Sequence, residues 1–380
     1  MIALEALVLL FAILTVLKSD GRICEFFATT FSRAWIFIFG NLFGWLPISL
    51  YELFLIVVIA GAIALVVFIV IFLCKQKWKR LLSTSIIVAL AVMTFLNVYT
   101  ATASFSYGRD PLPNEVYTEY SGDDLTFEEA VELASNYIDR VNALYYQTEH
   151  DADGNIVYPY SFREISNLLA KEYERLESQY FSPYTPSAKK IINKRIMSEM
   201  HIVGVFFAPF GEANINGYET NFYLPQTMAH EMAHGKGVMR EYEADLLAYY
   251  VCITSDNPYI SYGAMVKVMY SALSIVSLYP NSSKIWDELY AKIDYGIRLE
   301  QSNYSRFYGQ FRLLDDIGEF FNDLYLKLNK QQDGTGSYYK PGENVGTGAK
   351  DDDGHEIVQI INFSGTQNLL IKLYKEGRLY

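Results

Sequence analysis

The sequence predicts a mainly α-helical protein with a small β-sheet, in the α+β class, preceded by transmembrane helices. Hydrophobic residues make up 51% of the 380 residues and charged residues only 19%, against about 25% charged in an average soluble domain. The apolar residues are concentrated before residue 104, and helical spacing dominates after it. The net charge of −12 excludes a nucleic-acid-binding protein, which needs a basic surface.

Residues 1–103 are expected to form a membrane domain of about three transmembrane helices plus a short interfacial segment. Residues 53–74 and 81–108 are runs of 22 and 28 residues without a charge, and roughly 20 are enough to cross a bilayer. Residues 1–17 are expected to be a further span, with a signal peptide as the alternative. Residues 34–47 are apolar but too short to span, which predicts an interfacial or re-entrant segment.

The charges around these segments predict the orientation of the chain. Residues 75–80 carry four cations and are expected to stay in the cytoplasm. The last span then runs outward, so the protein is expected to be a multi-pass protein of the cell membrane with an extracytoplasmic domain. Lys18, Arg22 and Arg33 would lie in an outer loop and weakly oppose this. The residues after 103 carry 24 basic and 39 acidic side chains, as expected of a soluble, acidic domain.

Within that domain, residues 104–125 are expected to be a linker and residues 126–380 the folded unit. Thr126 and Glu129 form a capping box, which predicts the start of a helix. Residues 330–354 are polar and rich in glycine, which predicts a flexible loop. The other expected elements are helices over residues 162–179, after Pro186 and from 226 to 328, strands over 202–207 and 222–224, and apolar segments over 357–363 and 369–374 that dock back on the fold.

One motif carries chemistry, because His230, Glu231 and His234 match the pattern H-E-x-x-H. Residues i and i+4 of a helix share a face, so both imidazoles can bind one Zn²⁺ ion with Glu231 facing the metal-bound water. The alternative is a pair of surface histidines on a polar helix. Residues 228–233 include two Met and two Ala, and this apolar character favours a buried helix instead.

A catalytic zinc site needs a third protein ligand and an open fourth position. Residues 235–237 are Gly-Lys-Gly and predict a helix break, after which a second helix begins near residue 240. Glu241 and Asp245 share a face of that helix. Glu241 is therefore expected to bind zinc, and Asp245 to accept a hydrogen bond from a ligand histidine. Glu243 points to the opposite side and is the alternative third ligand.

These motifs together resemble a bacterial group of membrane-anchored zincin-like metallopeptidases that is itself of unknown function. The resemblance rests on residues 211–216 (GEANIN), 224–225 (LP), 230–237 (HEMAHGKG) and 240–245 (REYEAD). Three spans before a peptidase-like domain are similar to the layout of that group. The resemblance implies a zincin-like metallopeptidase domain after the transmembrane helices.

The E-x-x-A-D segment is also similar to the third-ligand helix of integral-membrane zinc peptidases of the CAAX-protease type. That likeness implies that Glu241 binds the metal and that Asp245 corresponds to the Asp of the same segment in those enzymes. Those enzymes have a long insertion before this Glu, whereas here Glu241 is the seventh residue after the second His. The metzincin pattern departs as well, because Arg240 stands where its third His would be.

The expected function is that of a membrane-anchored, zinc-dependent metalloendopeptidase. Zinc lowers the pKa of its bound water toward 7, and Glu231 is expected to take the proton and pass it to the leaving amine. The expected partners are a peptide or protein substrate and the lipid bilayer. The alternative is a membrane sensor or binding protein that keeps a zinc-bound domain without turnover. The intact Glu231 disfavours it, because a pure binding site needs no base.

A substrate-binding segment is expected just before the metal helix. The strand at residues 202–207 ends near Pro209, a residue typical of sheet edges and strand ends. An edge strand can pair with an extended peptide through its backbone. Val203, Val205 and Phe207 are the expected substrate-binding residues, and an ordinary core strand is the alternative.

Overall fold

The computed structural model describes residues 2–218, 222–329 and 361–378. The described chain is mostly helical with two small sheets, and several apolar helices lie near its N-terminus, as the sequence predicts. Before residue 104 the helices are α1 (Ile2–Leu17), α2 (Gly21–Phe27), α3 (Arg33–Phe43), α4 (Leu50–Cys74) and α5 (Trp78–Thr102). One π-helical turn, Ala28–Ser32, joins α2 to α3 without a break.

Two of these helices, α4 and α5, form an apolar hairpin. Each has 25 residues, enough for about 37 Å of helix, and almost none of their apolar windows is buried inside the protein. In water such a surface would be unfavourable, whereas in a bilayer it faces lipid. Helices Gly21–Phe43 and Pro258–Val276 are also long and apolar enough to cross a membrane, but the second is largely buried inside the folded domain.

The segment Gly21–Phe43, here called the flanking helix, is longer than the short interfacial segment that the sequence predicts at residues 34–47. The predicted segment starts too late, because Glu25 and Arg33 interrupt the apolar run of the helix. Glu25 pairs with Arg109, and the Arg33 guanidinium donates to the carbonyls of Gln179 and Tyr180. Protein partners thus satisfy both charges, which permits one continuous helix of 23 residues.

The helices of the domain pack around one large apolar core. They are α6 (Phe127–Gln147), α7 (Phe162–Glu174), α8 (Lys194–Glu199), α9 (Leu224–Gly235), α10 (Glu241–Ile253), α11 (Pro258–Val276), α12 (Ser283–Ala291), α13 (Tyr295–Tyr308), α14 (Asp315–Leu328) and α15 (Gly365–Lys375). The predicted capping box of Thr126 and Glu129 begins α6. Helix α15 docks back on the core with four buried apolar side chains, as expected for residues 369–374. The predicted loop at 330–354 lies outside the described residues.

The strands differ more from expectation than the helices do. A hairpin pairs β1 (Glu149–His150) with β2 (Ile156–Val157), and a second sheet has the order β3 (Ala188–Ile191), β5 (Glu212–Asn216), β4 (Gly204–Phe207). The predicted strand at 202–207 is present as β4. The predicted strand at 222–224 is wrong, because Leu224 already begins α9, and the segment after Pro186 is strand β3 before it becomes helix α8.

Strand β4 lies at an edge of the three-stranded sheet within the described part of the chain. It pairs antiparallel with β5, whereas β3 pairs parallel with β5 on the other side. The backbone amide of Asn216 donates to the carbonyl of Val203. Because bonded pairs alternate along an antiparallel ladder, the backbone groups that point toward β5 belong to residues 203, 205 and 207. The N–H and C=O groups of Gly204 and Phe206 therefore point toward the outer edge.

The central strand β5 attaches the sheet to the start of the apolar hairpin of α4 and α5. The Glu212 carboxylate accepts hydrogen bonds from the amides of Leu50 and Tyr51, at 3.0 and 3.2 Å, and pairs with Lys189. Ser49 Oγ bonds Asn214 Oδ1 at 2.6 Å. The first turn of α4 is thus capped by a buried carboxylate of the sheet, which favours the helix by supplying acceptors for its free amides. This contact fixes the sheet at one end of the hairpin.

Candidate metal centre

Two helices joined by a short turn bring the motif residues together. Helix α9 carries His230, Glu231 and His234 and ends at Gly235. Gly237 then adopts a φ of +93°, a conformation that glycine tolerates readily. The chain reverses and α10 begins at Glu241. The predicted helix break and the predicted second helix are therefore both present.

Three side chains converge on a common point. Glu241 Oε2 lies 3.2 Å from His230 Nε2 and 3.6 Å from His234 Nε2, and one ligand atom from each residue lies within 4.8 Å of the others. All three side chains are at most 12% exposed. This cluster is one that could hold a metal ion.

The second nitrogen of each imidazole is held by an acceptor. Asp245 Oδ1 lies 2.9 Å from His230 Nδ1, and the Val238 carbonyl lies 2.8 Å from His234 Nδ1. Gln226 Nε2 donates to the same Asp245 oxygen at 3.3 Å. Such partners keep the proton on Nδ1 and leave the Nε2 lone pair for a metal. The expected hydrogen bond from a motif histidine to Asp245 is thus present.

The alternative third ligand, Glu243, faces away from the imidazoles. Its Oε1 accepts from Arg240 Nη1 at 2.7 Å and from the Tyr242 hydroxyl at 3.2 Å. Burial raises the pKa of Glu243, and the Arg240 guanidinium opposes that rise. Its carboxylate is therefore committed to an ion pair on the other side of α10.

The charges within the cluster are tightly coupled. Burial opposes ionisation of Glu241, but the imidazoles outweigh it and hold the pKa of that carboxyl at about 2. Burial also opposes the charged form of His230, yet Asp245 and Glu241 hold its pKa well above the usual range. The Glu241 and Asp245 carboxylates are thus ionised near neutral pH, which favours positive charge between them.

Glu231 differs from Glu241 although both are buried. Burial raises the pKa of Glu231 to about 7, and the two motif imidazoles only partly oppose it. A carboxyl with a pKa near neutrality can both accept and return a proton. Strand β4 leaves space for the Glu231 side chain because residue 204 is glycine. A Cβ at that position would lie only 2.7 Å from Glu231 Cγ.

Strand β4 turns residues toward α9 that differ from the expected substrate-binding residues. Alternate residues of a strand face opposite sides, and Gly204 and Phe206 face α9, where the Phe206 ring lies 6.0 Å from that of His234. The expected substrate residues Val203, Val205 and Phe207 therefore lie on the other face. There the Phe207 ring contacts aromatic rings of α4 and α5.

Tyrosines beside the cluster were not selected by the sequence, because 31 tyrosines offer no motif to choose among. The Tyr325 hydroxyl bonds that of Tyr107 at 2.9 Å. Desolvation of the hydroxyl raises the pKa of Tyr325 to about 12, and the charges of Glu241 and Glu231 add to the rise. Tyr325 therefore keeps its proton near neutral pH and lies within electrostatic range of both carboxylates.

The other histidines near predicted elements lie outside the cluster. His201 Nε2 bonds the Phe311 carbonyl at 2.7 Å. The His150 ring stacks near Tyr145, at 4.1 Å, and lies 3.8 Å from Glu300. Both are explained by local structure, in agreement with the absence of a motif around them.

Comparison with known proteins places the chain in a family. A family model described as "Protein of unknown function (DUF3810)" matches residues 27–341. The chain belongs to the DUF3810 family. The match covers the apolar hairpin, the sheet and both helices of the cluster, so these features lie within the DUF3810 region. No curated protein and no solved structure matches the chain.

Proposed function

We propose that this DUF3810 protein is a membrane-anchored zinc metallopeptidase. The observation that carries the proposal is the convergence of His230 Nε2, His234 Nε2 and the Glu241 carboxylate, with Glu231 beside them. The donor set suits zinc, which binds His nitrogen and carboxylate oxygen at about 2.0–2.2 Å. Ligands at such distances in a tetrahedral site are about 3.4 Å apart, close to the 3.2 and 3.6 Å between the imidazoles and Glu241.

Zinc bound there would act as a Lewis acid and lower the pKa of a coordinated water. The ligand residues would be His230, His234 and Glu241. The acceptors at Asp245 and Val238 support this assignment, because they orient both imidazoles before any metal arrives. Such pre-orientation is what partners of ligand histidines provide in zinc sites.

The protein's own groups supply the proton transfers. The Glu231 carboxylate would accept a proton from the attacking water and return it to the leaving nitrogen, a role supported by its pKa of about 7. The Tyr325 hydroxyl would donate a hydrogen bond to the oxygen of the scissile carbonyl as negative charge develops on it. Its raised pKa supports this, since the hydroxyl keeps its proton near neutral pH.

A peptide substrate would lie along the outer edge of β4. The N–H and C=O groups of Gly204 and Phe206 point to that edge, and the same two residues face the metal helix. Backbone pairing would therefore hold an extended peptide with its scissile bond beside Glu231. We expect a peptide-like hydroxamate to bind antiparallel to residues 202–207.

The hairpin geometry supports an extracytoplasmic domain. The sheet holds the start of α4 and the domain follows the end of α5, so the cationic turn at 75–80 lies at the far end. If that turn stays in the cytoplasm, the domain lies outside. Arg33, a cation that opposed this orientation, is bonded to carbonyls of the domain.

The low exposure of the three cluster side chains, at most 12%, also favours a second candidate. This candidate is a membrane sensor that binds zinc without turnover.

The experiment compares the full-length protein with Glu231→Gln and, as a control, with the exposed Glu128→Gln, all in lipid nanodiscs. We expect all three to bind zinc at one ion per chain, measured by mass spectrometry of the metal. Peptide cleavage should fall by about 10²–10⁴-fold in Glu231→Gln alone.

The outcomes separate the candidates. Undiminished cleavage in Glu231→Gln would refute the proposed base. Zinc binding with no cleavage by the unaltered protein would favour the sensor, and absence of zinc would contradict both candidates.

A further inference from the structure

The aromatic wall beside β4 is built by membrane helices. The Phe207 ring lies 5.1 Å from that of Tyr51 and 5.3 Å from that of Phe54, both in α4. It also lies 6.4 Å from Phe95 of α5, and Phe54 stacks on Phe95 at 5.4 Å. The end of the hairpin therefore packs directly against the strand that borders the metal cluster.

The cluster itself is close to the same two helices. The Glu231 carboxylate lies within electrostatic range of Tyr51 in α4, and Glu241 within range of Tyr99 in α5. Tyr99 also contacts the Tyr325 ring, at 6.2 Å. Residues from the first turn of α4 and the last turns of α5 thus lie on the side of β4 and Tyr325 that is near the cluster.

The flanking helix gives an independent indication of where the membrane surface lies. One side of it contacts the domain from end to end: Glu25 bonds Arg109, Trp35 Nε1 donates to the Pro209 carbonyl, and the Phe43 carbonyl accepts from Lys189. The surface turned away from the domain exposes Phe26, Phe31, Phe37, Ile38 and Leu42.

Both ends of the flanking helix are at the domain end of the hairpin. Its start follows Lys18, which bonds Ser104 just after α5, and its end leads to Ser49 at the start of α4. The helix therefore runs along the domain instead of crossing to the cationic turn. A helix with one apolar aromatic face in this position suits the interface of a bilayer.

From this geometry we infer that the substrate is a polypeptide anchored in the same membrane, cleaved at a bond close to the membrane surface. The inference rests on the proposed function and names its substrate class. Phe95 is about 10 Å below the end of α5 at Thr102, at 1.5 Å per residue. An extended chain advances about 3.3 Å per residue and covers such a distance in about three residues, so the scissile bond is expected within a few residues of the substrate's span.

Apolar contacts and confinement both favour such a substrate. The wall of Tyr51, Phe54 and Phe95 suits the apolar or aromatic residues found where a transmembrane segment meets the surface. A substrate in the same bilayer also meets the enzyme at a high effective concentration, as a linked partner does. A soluble peptide has neither advantage.

The test uses the full-length protein and its Glu231→Gln variant in proteoliposomes with equal bound zinc. One randomised 20-residue segment is presented in three ways: fused directly to a transmembrane helix, fused through a flexible 30-residue spacer, and free in solution. Mass spectrometry of new N-termini gives the sites and rates. We expect the direct fusion to be cleaved at least tenfold faster than the free segment, with the spacer fusion slower than the direct one.

Each outcome bears on one claim. Equal rates for the free and directly fused segments would overturn the inference and leave the peptidase proposal standing, as would sites spread evenly along the spacer. No Glu231-dependent cleavage of any of the three would instead contradict the peptidase proposal, and with it the inference.

A cross-link provides a readout that does not need turnover. A photoreactive phenylalanine analogue at Phe95 of the Glu231→Gln protein should capture the directly fused segment. The same analogue at Phe307, a partly exposed residue on α13, should not. Equal capture at both positions would refute the placement of the substrate against α5.

Discussion

Replacement of Gly204 by alanine tests the proposed site at a residue that has no functional group. A Cβ at this position would lie 2.8 Å from Glu231 Cδ, 2.7 Å from Cγ and closer still to Oε1, so each atom is at least about 0.6 Å inside the 3.4 Å of an ordinary contact. The obstacle is the far end of a flexible side chain, so the fold can accommodate the methyl group by moving the Glu231 carboxylate. The three expected zinc ligands do not have to move.

The expected loss of activity follows from that displacement. A misplacement of about 1 Å in an active site can cost about 10²-fold in rate, so a shift of about 0.6 Å predicts a loss of roughly 10- to 100-fold in kcat. This corresponds to about 1.4–2.7 kcal/mol in the activation free energy. Zinc content and thermal stability should stay close to those of the unaltered protein.

The assay compares kcat of the full-length protein in nanodiscs with that of Gly204→Ala, and of Glu231→Gln with and without the same change. If alanine acts through Glu231, it should have little further effect once that carboxylate is removed. Gly365→Ala is the control, because a Cβ there makes an ordinary contact at 3.4 Å from Leu246. Full activity in Gly204→Ala, or an unchanged effect in the Glu231→Gln background, would refute the assigned role of Glu231.

Three further predictions concern the ligands, the oxyanion and the orientation. Glu241→Ala should lose bound zinc, whereas Glu243→Ala should keep it. Glu243→Ala should unfold at a lower temperature, because Arg240 loses the carboxylate of its ion pair. Equal zinc content in both variants would contradict the ligand assignment. Tyr325→Phe should lower kcat by about 10²-fold or more without loss of zinc, and unchanged kcat would exclude its hydroxyl from catalysis. A cysteine placed in the turn at 75–80 should react with an impermeant reagent only after the cell is opened, and labelling of intact cells would reverse the orientation.

The sequence predicted the parts of the fold that depend on periodic apolar residues and on side chains with a short-range signature. The H-E-x-x-H helix, the break before α10 and the choice of Glu241 over Glu243 as the residue near the imidazoles follow from spacing along helices. The capping box at Thr126 is equally local. These features need no knowledge of distant contacts.

The small sheet and its strand at residues 202–207 were predicted, but the partners of that strand and the start of the flanking helix depend on distant contacts that leave no local signal. Strand β5 places Glu212, Asn214 and Asn216 in the interior, a pattern typical of a loop until its partners in α4 and the segments around it are known. Lys189 of β3 is buried only because Glu212 neutralises it. The face of β4 that meets the cluster could not be chosen without knowing where α9 packs.

The hydrogen bonds from Leu50 and Tyr51 to Glu212 bear on the biogenesis of the protein. Residues 50–102 are synthesised before residue 212, so the hairpin can enter the membrane while the sheet is still incomplete. Without the hairpin, Glu212 Oε2 would lose the amides of Leu50 and Tyr51 as donors, although Glu212 is only 1% exposed. Burying a carboxylate oxygen without partners is costly. A chain that fails to insert therefore lacks the support that places β4 beside His230 and Glu231. Completion of the sheet beside His230 and Glu231 is thus coupled to the placement of the hairpin.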